Sequence, residues 1–192
     1  MDIRRLAPAL SVSEQILPSQ LAELKAAGFR AIICNRPDGE GSDQPLFAEI
    51  KRAADAVGIE AHYLPAESGK VTDEQGVAFG TLLETLPKPV LAYCRSGMRS
   101  TTMWALSQAG QHDLPHIVES AKKAGFDMKG VIRRIANQGR TPVEVAEAQH
   151  TVVIIGAGAA GIATASSLLA RAPGLDIAIV EIGRASCRER VF

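Results

Sequence analysis

Short apolar runs alternate with amphipathic segments along the first part of the chain. The apolar runs predict strands over 3–6, 9–12, 29–34, 59–64 and 90–93. The amphipathic segments, with their Pro and capping-box starts and Gly or Pro stops, predict helices over 18–27, 46–57 and 72–85, and from 101 onward. Strand and helix in alternation predict an α/β fold with a doubly wound, mainly parallel sheet. The site of such a sheet lies at the carboxyl ends of its strands.

The pattern changes after about residue 110, where the first domain is expected to end. Short helices are predicted over 115–124, 127–137 and 141–148, with no strand signal between them. We interpret residues 111–150 as a helical connector, with packing onto the first domain as the alternative. A strand over 151–155, a Gly-rich turn, a helix over 162–172 and a strand over 176–180 then predict an incomplete Rossmann βαβ unit.

Composition removes several classes of function. The formal net charge is zero, which gives no electrostatic footprint for nucleic acid. Residues 151–170 are uncharged and long enough to span a membrane, but the grouping of β-favouring residues, glycines and helix formers favours strand, turn and helix instead. No signal peptide is visible and no His or Cys spacing suits a metal, so we expect a cytoplasmic protein without a metal site.

The strongest chemical signal is a cysteine at the end of the strand over 90–93. Cys94 is followed by a loop and then by Arg99 and Ser100 at the start of a helix; the expected anion-binding loop residues are Arg95, Ser96, Gly97 and Met98. Loop N–H groups, a helix N-terminus and two arginines favour a nucleophilic thiolate at Cys94. The alternative is an inert buried cysteine.

A second motif lies in the Rossmann-like segment. Gly156, Gly158 and Gly161 form GxGxxG between a predicted strand and a predicted helix, and Glu181 ends the next strand, where an acid could bind a ribose hydroxyl. We predict a dinucleotide-binding origin for residues 151–181, against the simpler hypothesis of a tight glycine turn. One such unit is too small to fold around a cofactor unaided, so we expect no tightly held flavin or nicotinamide.

The last residues break the pattern abruptly. The string over 182–191 resembles the translation of a widely used sequencing adapter. We therefore interpret residues 182–192 as an artefact, and Cys187 carries no functional argument. Part of the Glu181 codon would also come from this adapter, so Glu181 is weak evidence for a ribose-binding residue.

Four motifs in residues 1–110 together resemble one family. They are Ser-Val-Ser at 11–13, Gly-Phe-Arg at 28–30, Asn-Arg-Pro-Asp-Gly-Glu at 35–40 and Tyr-Cys-Arg-Ser-Gly-Met-Arg-Ser at 93–100. They resemble the beta-lactamase-hydrolase-like (Blh-type) phosphatase-like domain. The resemblance implies a tyrosine-phosphatase-like fold and no cofactor for residues 1–110.

The length of the loop from Cys94 to Arg99 favours one of two possible reactions, phosphate hydrolysis or sulfur transfer. Tyrosine phosphatases use Cys-x5-Arg, whereas Cys94 and Arg99 are spaced Cys-x4-Arg, which resembles the shorter rhodanese loop for a cysteine persulfide. We therefore predict a sulfurtransferase acting through a Cys94 persulfide, with a small persulfide or thiosulfate as substrate and Ser100 supporting the sulfur. The alternatives are a cysteine phosphatase acting on a phosphate ester, or a non-catalytic module that docks a flavoenzyme.

A phosphatase also needs a general acid for its leaving group. Asp38 is the candidate, although a turn role is the commoner explanation, and Glu67 is a weaker one. Arg36 could add positive charge at the entrance of the Cys94 site, but an ion pair with Glu40 is the simpler explanation of this arginine.

The Rossmann-like segment resembles the start of a flavin-dependent pyridine nucleotide-disulfide oxidoreductase of the sulfide:quinone oxidoreductase type. That resemblance implies FAD for a full-length parent protein, in which the first domain would act in sulfide and persulfide metabolism. We expect the truncated oxidoreductase part in this chain to be inactive.

Overall fold

The computed structural model describes residues 1–143, 151–182 and 187–191. The backbone divides into two compact units, Met1–Pro142 and Val143–Phe192. Most of the helix predicted over 141–148 and the side chain of Glu181 lie outside the described residues.

The first unit is built on a five-stranded sheet. In chain order its elements are β1 (Ile3–Ala7), β2 (Leu10–Ser13), α1 (Leu21–Ala26), β3 (Ala31–Cys34), α2 (Phe47–Val57), β4 (Glu60–Tyr63), α3 (Asp73–Thr85), β5 (Val90–Tyr93), α4 (Met98–Gln108), α5 (Leu114–Lys123) and α6 (Ile132–Ala136), with 3₁₀ turns at Pro18–Gln20 and Lys129–Val131. The strand order is β1-β2-β5-β3-β4. The pairings from β2 to β4 are parallel and β1 is antiparallel to β2, so the sheet is mixed.

Alternate side chains of the central strands bury opposite faces of the sheet. On β5, Val90 and Ala92 belong to a core shared with α3, α4 and α5. Leu91 and Tyr93 belong to a second core shared with α1 and α2. Side chains alternate across a strand, so a strand covered on both faces must be apolar throughout. This arrangement confirms the predicted α/β class.

Local sequence signals explain the boundaries of α3. Thr72 Oγ1 accepts from the Gln75 backbone N–H at 3.2 Å, and Gln75 Oε1 accepts from the Thr72 N–H at 2.9 Å. This reciprocal pair is the capping box predicted from the sequence. Pro87 and Pro89 follow the end of the helix, and β5 begins at Val90.

The segment after α4 belongs to the first unit. Helix α5 packs against α4 and β1, and α6 packs against α4 and α5. Ile117, Ala121 and Ile135 are buried in the same core as the sheet. Residues 111–142, interpreted above as a connector, therefore complete one wall of this unit.

The second unit contains β6 (Val152–Ile155), α7 (Ala159–Arg171), β7 (Ile177–Ile182) and β8 (Cys187–Val191). Strand β6 is parallel to β7, with α7 between them in sequence, and β8 is antiparallel to β7. Among the described helices of the whole chain, none is both long and apolar enough to span a membrane. The assignment of residues 182–192 to an artefact stays a prediction.

Candidate active site

Cys94 lies at the carboxyl end of β5, at the edge where a parallel sheet presents its ligands. Its side chain is buried, and Sγ accepts a hydrogen bond from the Gly97 backbone N–H at 3.1 Å. Gly97 is the residue that caps the N-terminus of α4. Negative charge on this sulfur is therefore stabilised by a backbone donor at the positive end of a helix.

Gly97 allows the loop to turn directly into α4. Its φ of 87° lies in the left-handed region. A Cβ atom there would lie 2.8 Å from Cζ of Phe126, a side chain that follows α5. This tight turn starts α4 at Met98, earlier than the helix start between Arg99 and residue 101 expected from the sequence. Arg99 and Ser100 therefore lie in the first turn of the helix.

Arg99 is held by a carboxylate from a distant loop. Its Nη1 and Nη2 atoms donate to the two carboxylate oxygens of Glu40, each at 2.8 Å, and Nη1 also donates to the Ala66 carbonyl at 2.8 Å. Two parallel bonds of this kind fix the plane of a guanidinium. Burial alone would lower the pKa of Arg99, but its hydrogen bonds and charge interactions with Glu40 and the Cys94 sulfur outweigh it and raise the pKa.

Glu40 also pairs with Arg36, as the sequence predicted. Arg36 Nε donates to Glu40 Oε2 at 2.7 Å. The hydrogen bond from Arg99 is the main cause that lowers the pKa of Glu40. One carboxylate thus serves two nearly buried guanidiniums, which leaves an excess of positive charge beside Cys94. Sequence reasoning placed Glu40 in a family motif but missed its contact with Arg99.

Ser100 is completely buried in the first turn of α4. Its Oγ has no hydrogen-bond partner among the described residues. The hydroxyl is thus not committed to another protein group. Its predicted support of the Cys94 sulfur stays a prediction.

The two candidate acids are both engaged elsewhere. Asp38 Oδ1 accepts from the Phe47 backbone N–H at 2.8 Å, so its carboxylate caps the start of α2. The backbone N–H of Asp38 donates to the Tyr63 hydroxyl, and the rings of Tyr63 and Phe47 stack at 4.7 Å. Glu67 forms an exposed ion pair with Lys70 at 2.7 Å. These contacts favour structural roles, and the acid role of either residue stays a prediction.

A cavity of about 400 Å³ opens beside the cysteine loop. Four residues of the predicted loop and helix start line it: Arg95, Ser96, Met98 and Arg99. The rest of the wall comes from Ser68, Gly69, Val71, Thr102, Val131 and Arg134. The last two belong to the predicted connector and were not expected at the site. Their sequence gives no signal for this role because the packing of α6 and of the 3₁₀ turn before it brings them here.

The glycine motif of the second unit forms a tight turn between β6 and α7. Gly158 caps α7, and a Cβ atom at Gly161 would lie 1.9 Å from the Gly156 carbonyl oxygen, so no other residue fits there. Across the described residues of both units, no cluster of three or more His, Cys, Asp or Glu side chains could hold a metal ion.

Comparison with known proteins gives a consistent set of relatives for the first unit. The family model described as "Beta-lactamase hydrolase-like protein, phosphatase-like domain" matches residues 2–111. A beta-lactamase hydrolase-like protein of Agrobacterium fabrum is 31% identical over 140 residues, which cover 72% of this chain and 32% of that protein. The chain therefore spans about a third of the length of this curated relative.

Solved structures share the fold of this unit. A "putative phosphatase" from Neisseria meningitidis is 31% identical with a TM-score of 0.65, and the match covers 72% of this chain and 99% of that one. TpbA from P. aeruginosa in complex with pTyr is 16% identical with a TM-score of 0.52, covering 73% of this chain and 84% of that one. The second similarity concerns the fold alone. By its fold and by the family match over residues 2–111, the first unit is a phosphatase-like domain with Cys94 on the loop that follows β5.

Proposed function

Because this chain belongs, through residues 2–111, to the phosphatase-like domain family of beta-lactamase hydrolase-like proteins, we propose that it is a cysteine-dependent phosphatase of phosphate monoesters. The observation that carries the proposal is the Arg99 guanidinium, fixed by Glu40 beside the Cys94 loop. A fixed guanidinium presents two donors to two oxygens of a tetrahedral phosphate. The relatives support this alternative over the sulfur transfer that the Cys-x4-Arg spacing favoured.

The chemistry proceeds in two displacements. The Cys94 thiolate attacks phosphorus, the P–S bond forms, and the P–O bond to the leaving group breaks. Arg99 and the loop N–H groups hold the non-bridging oxygens while charge develops on them. A water molecule then attacks the phosphocysteine, releases inorganic phosphate and regenerates the thiolate. The leaving oxygen needs a proton in the first step, which we assign to Asp38 or to solvent.

Two cysteines allow a matched test of the nucleophile. Cys34 is also buried on the sheet, but burial raises the pKa of its thiol to about 11, so it is protonated at neutral pH. We expect Cys94→Ser to lower hydrolysis of 4-nitrophenyl phosphate by at least about 1000-fold. Cys34→Ser, the same substitution away from the loop, is expected to retain turnover. Circular dichroism of both variants checks that the fold is intact.

The same proteins distinguish the other candidate functions. Intact-mass spectrometry after incubation with thiosulfate or glutathione persulfide would detect one added sulfur on Cys94. That adduct without phosphate release would refute the phosphatase and support sulfur transfer. Absence of both reactions would support a non-catalytic docking module.

For the second unit we propose the start of an FAD- or NAD(P)-binding domain of the pyridine nucleotide-disulfide oxidoreductase type. The parallel pair β6/β7, the helix between them and the Gly156–Gly161 turn support it. Val153 and Ile155 of β6 are exposed, so no described element covers these side chains. We propose that the second unit of this chain does not retain FAD. Stoichiometric flavin absorbance in the purified chain would contradict that statement.

A further inference from the structure

A third arginine, after Arg95 and Arg99, lines the cavity beside the cysteine loop. Arg134 of α6 donates from Nε to Asp73 Oδ1 at 3.0 Å and from Nη1 to the Val71 carbonyl at 2.8 Å, and its Nη2 also bonds to Asp73. Asp73 is itself fixed, because Thr141 donates to it from its backbone N–H at 2.7 Å and from its hydroxyl at 3.1 Å. The Arg134 side chain is 17% exposed. It is thus an oriented guanidinium at the edge of a cavity.

Arg134 is held by the same kinds of group as Arg99, although both of its bonds to Asp73 go to Oδ1. Each guanidinium bonds to one carboxylate and to one backbone carbonyl, and both carbonyls belong to the loop between β4 and α3: Ala66 for Arg99 and Val71 for Arg134. A single loop therefore sets the positions of two cationic groups that line one cavity. An arginine has five N–H donors, so three hydrogen bonds to described residues leave Arg134 with donors for a ligand.

The rest of the cavity suits a small, doubly anionic molecule. Val71, Met98 and Val131 supply apolar surface. Arg95 also lines the cavity, is exposed, and has no ion pair or hydrogen bond with the described residues. Together with the excess positive charge around Glu40, this unpaired cation favours ligands that carry more than one negative group.

We propose that Arg134 is a specificity-determining residue that binds a second anionic group of the substrate. The substrate class is a small phosphate monoester that carries a carboxylate or a second phosphate on a short, largely apolar skeleton. This inference rests on the proposed phosphatase function and deepens it. Arg99 binds the phosphate that reacts at Cys94. Arg134 binds the other anionic group with the N–H groups that are not hydrogen-bonded to Asp73 or Val71.

The test compares substrates that differ only in charge. Phosphate release is measured from 3- and 4-carboxyphenyl phosphate and from the matching carbamoylphenyl phosphates, which have the same shape without the second charge. We expect the wild type to prefer one carboxylate isomer over its amide by about tenfold in kcat/KM, the size of one charge-assisted hydrogen bond. Arg134→Gln should abolish that preference, and Arg134→Lys, which keeps the charge, should retain part of it.

A neighbouring arginine provides the matched control. Arg133 lies on the same helix, is exposed and does not line the cavity, so Arg133→Gln should keep the wild-type preference. Two results would overturn the inference. One is a wild type without preference for either carboxylate isomer; the other is an Arg134→Gln variant that lowers kcat/KM equally for the carboxylate and the amide.

Equilibrium binding to the Cys94→Ser variant separates this inference from the proposed function. If the wild type hydrolyses none of these esters but Cys94→Ser binds the carboxylate more tightly than the amide, the phosphatase proposal fails and the Arg134 site stands. If the esters are hydrolysed without discrimination by charge, the phosphatase stands and the Arg134 site fails. Absence of both hydrolysis and selective binding overturns both.

Discussion

Glu40 offers the sharpest test of how the site is held together. Glu40→Gln keeps the size of the side chain but removes its charge and one strong acceptor. The carboxylate takes hydrogen bonds from Arg99 and Arg36, whose side chains are only 7% and 9% exposed. Removing one partner of a buried ion pair costs about 3–5 kcal/mol, because the remaining charge stays buried and unpaired.

The expected effect is smaller than that limit for two reasons. Glu40 is itself 23% exposed, so solvent screens part of the interaction, and glutamine retains one acceptor oxygen. We therefore expect the free energy of unfolding to fall by about 2 kcal/mol. The Arg99 guanidinium also loses its bidentate partner, and a misoriented catalytic group lowers kcat/KM by about 100-fold.

Urea denaturation and hydrolysis of 4-nitrophenyl phosphate measure the two effects. The matched control is Glu119→Gln, which removes the charge from an exposed ion pair with Lys123 on α5 and should change stability by less than about 0.5 kcal/mol. An unchanged free energy of unfolding together with undiminished kcat/KM in Glu40→Gln would refute the reasoning. The Ala66 carbonyl and local packing would then suffice to hold Arg99.

Three further outcomes follow from the site. The pKa of Glu40 is lowered chiefly by its hydrogen bond from Arg99. Ionised Glu40 therefore contributes its full stabilisation of the fold above the ordinary pKa of 4.5, and this contribution is lost as the pH falls below that value. Urea unfolding at a series of acidic pH values should show the wild type losing more stability than Glu40→Gln. Gly97→Ala imposes a strained φ and a contact with Phe126, and should cost about 1–3 kcal/mol in urea unfolding and most of the turnover. Asp38→Asn keeps a good helix cap and should leave kcat within about twofold, whereas a fall of about 100-fold or more, largest for alkyl phosphates, would establish Asp38 as the acid.

Most of the fold could be predicted from local patterns in the sequence. The strands, the capping box at Thr72 and the position of Cys94 after a buried strand all depend on neighbours within a few residues, and the sequence displays these directly. The start of one helix differs from its prediction because the backbone conformation of a glycine determines it. The start of α4 at Met98 depends on the positive φ of Gly97, which a sequence pattern does not specify.

Long-range contacts explain what the sequence did not reveal about the site. Arg99 and Glu40 are 59 residues apart, and Arg134 and Asp73 are 61 apart. Charged residues are common on any surface, so their sequence positions give no reason to pair these in particular. Only the packing of α6 against α4 and α5 brings Arg134 to the cavity.

Loop spacing alone did not distinguish sulfur transfer from phosphate hydrolysis. Loop spacing from Cys94 to Arg99 favoured sulfur transfer, whereas the family and the fold favour phosphate hydrolysis. Spacing fixes the number of atoms in the loop but not the orientation of its donors. The orientation of the Arg99 guanidinium depends on Glu40, which binds it from outside the loop.

The shared carboxylate of Glu40 has a consequence for how such a domain can evolve. Arg36, Glu40 and Arg99 form one ionic unit: Arg99 bonds to both carboxylate oxygens of Glu40, and Arg36 bonds to Oε2. Losing the glutamate leaves two buried cations, whereas losing Arg36 alone leaves the Glu40–Arg99 pair complete. Substitution should therefore be asymmetric among homologues: Arg36 is replaced more often than Glu40 or Arg99, which are kept or replaced together.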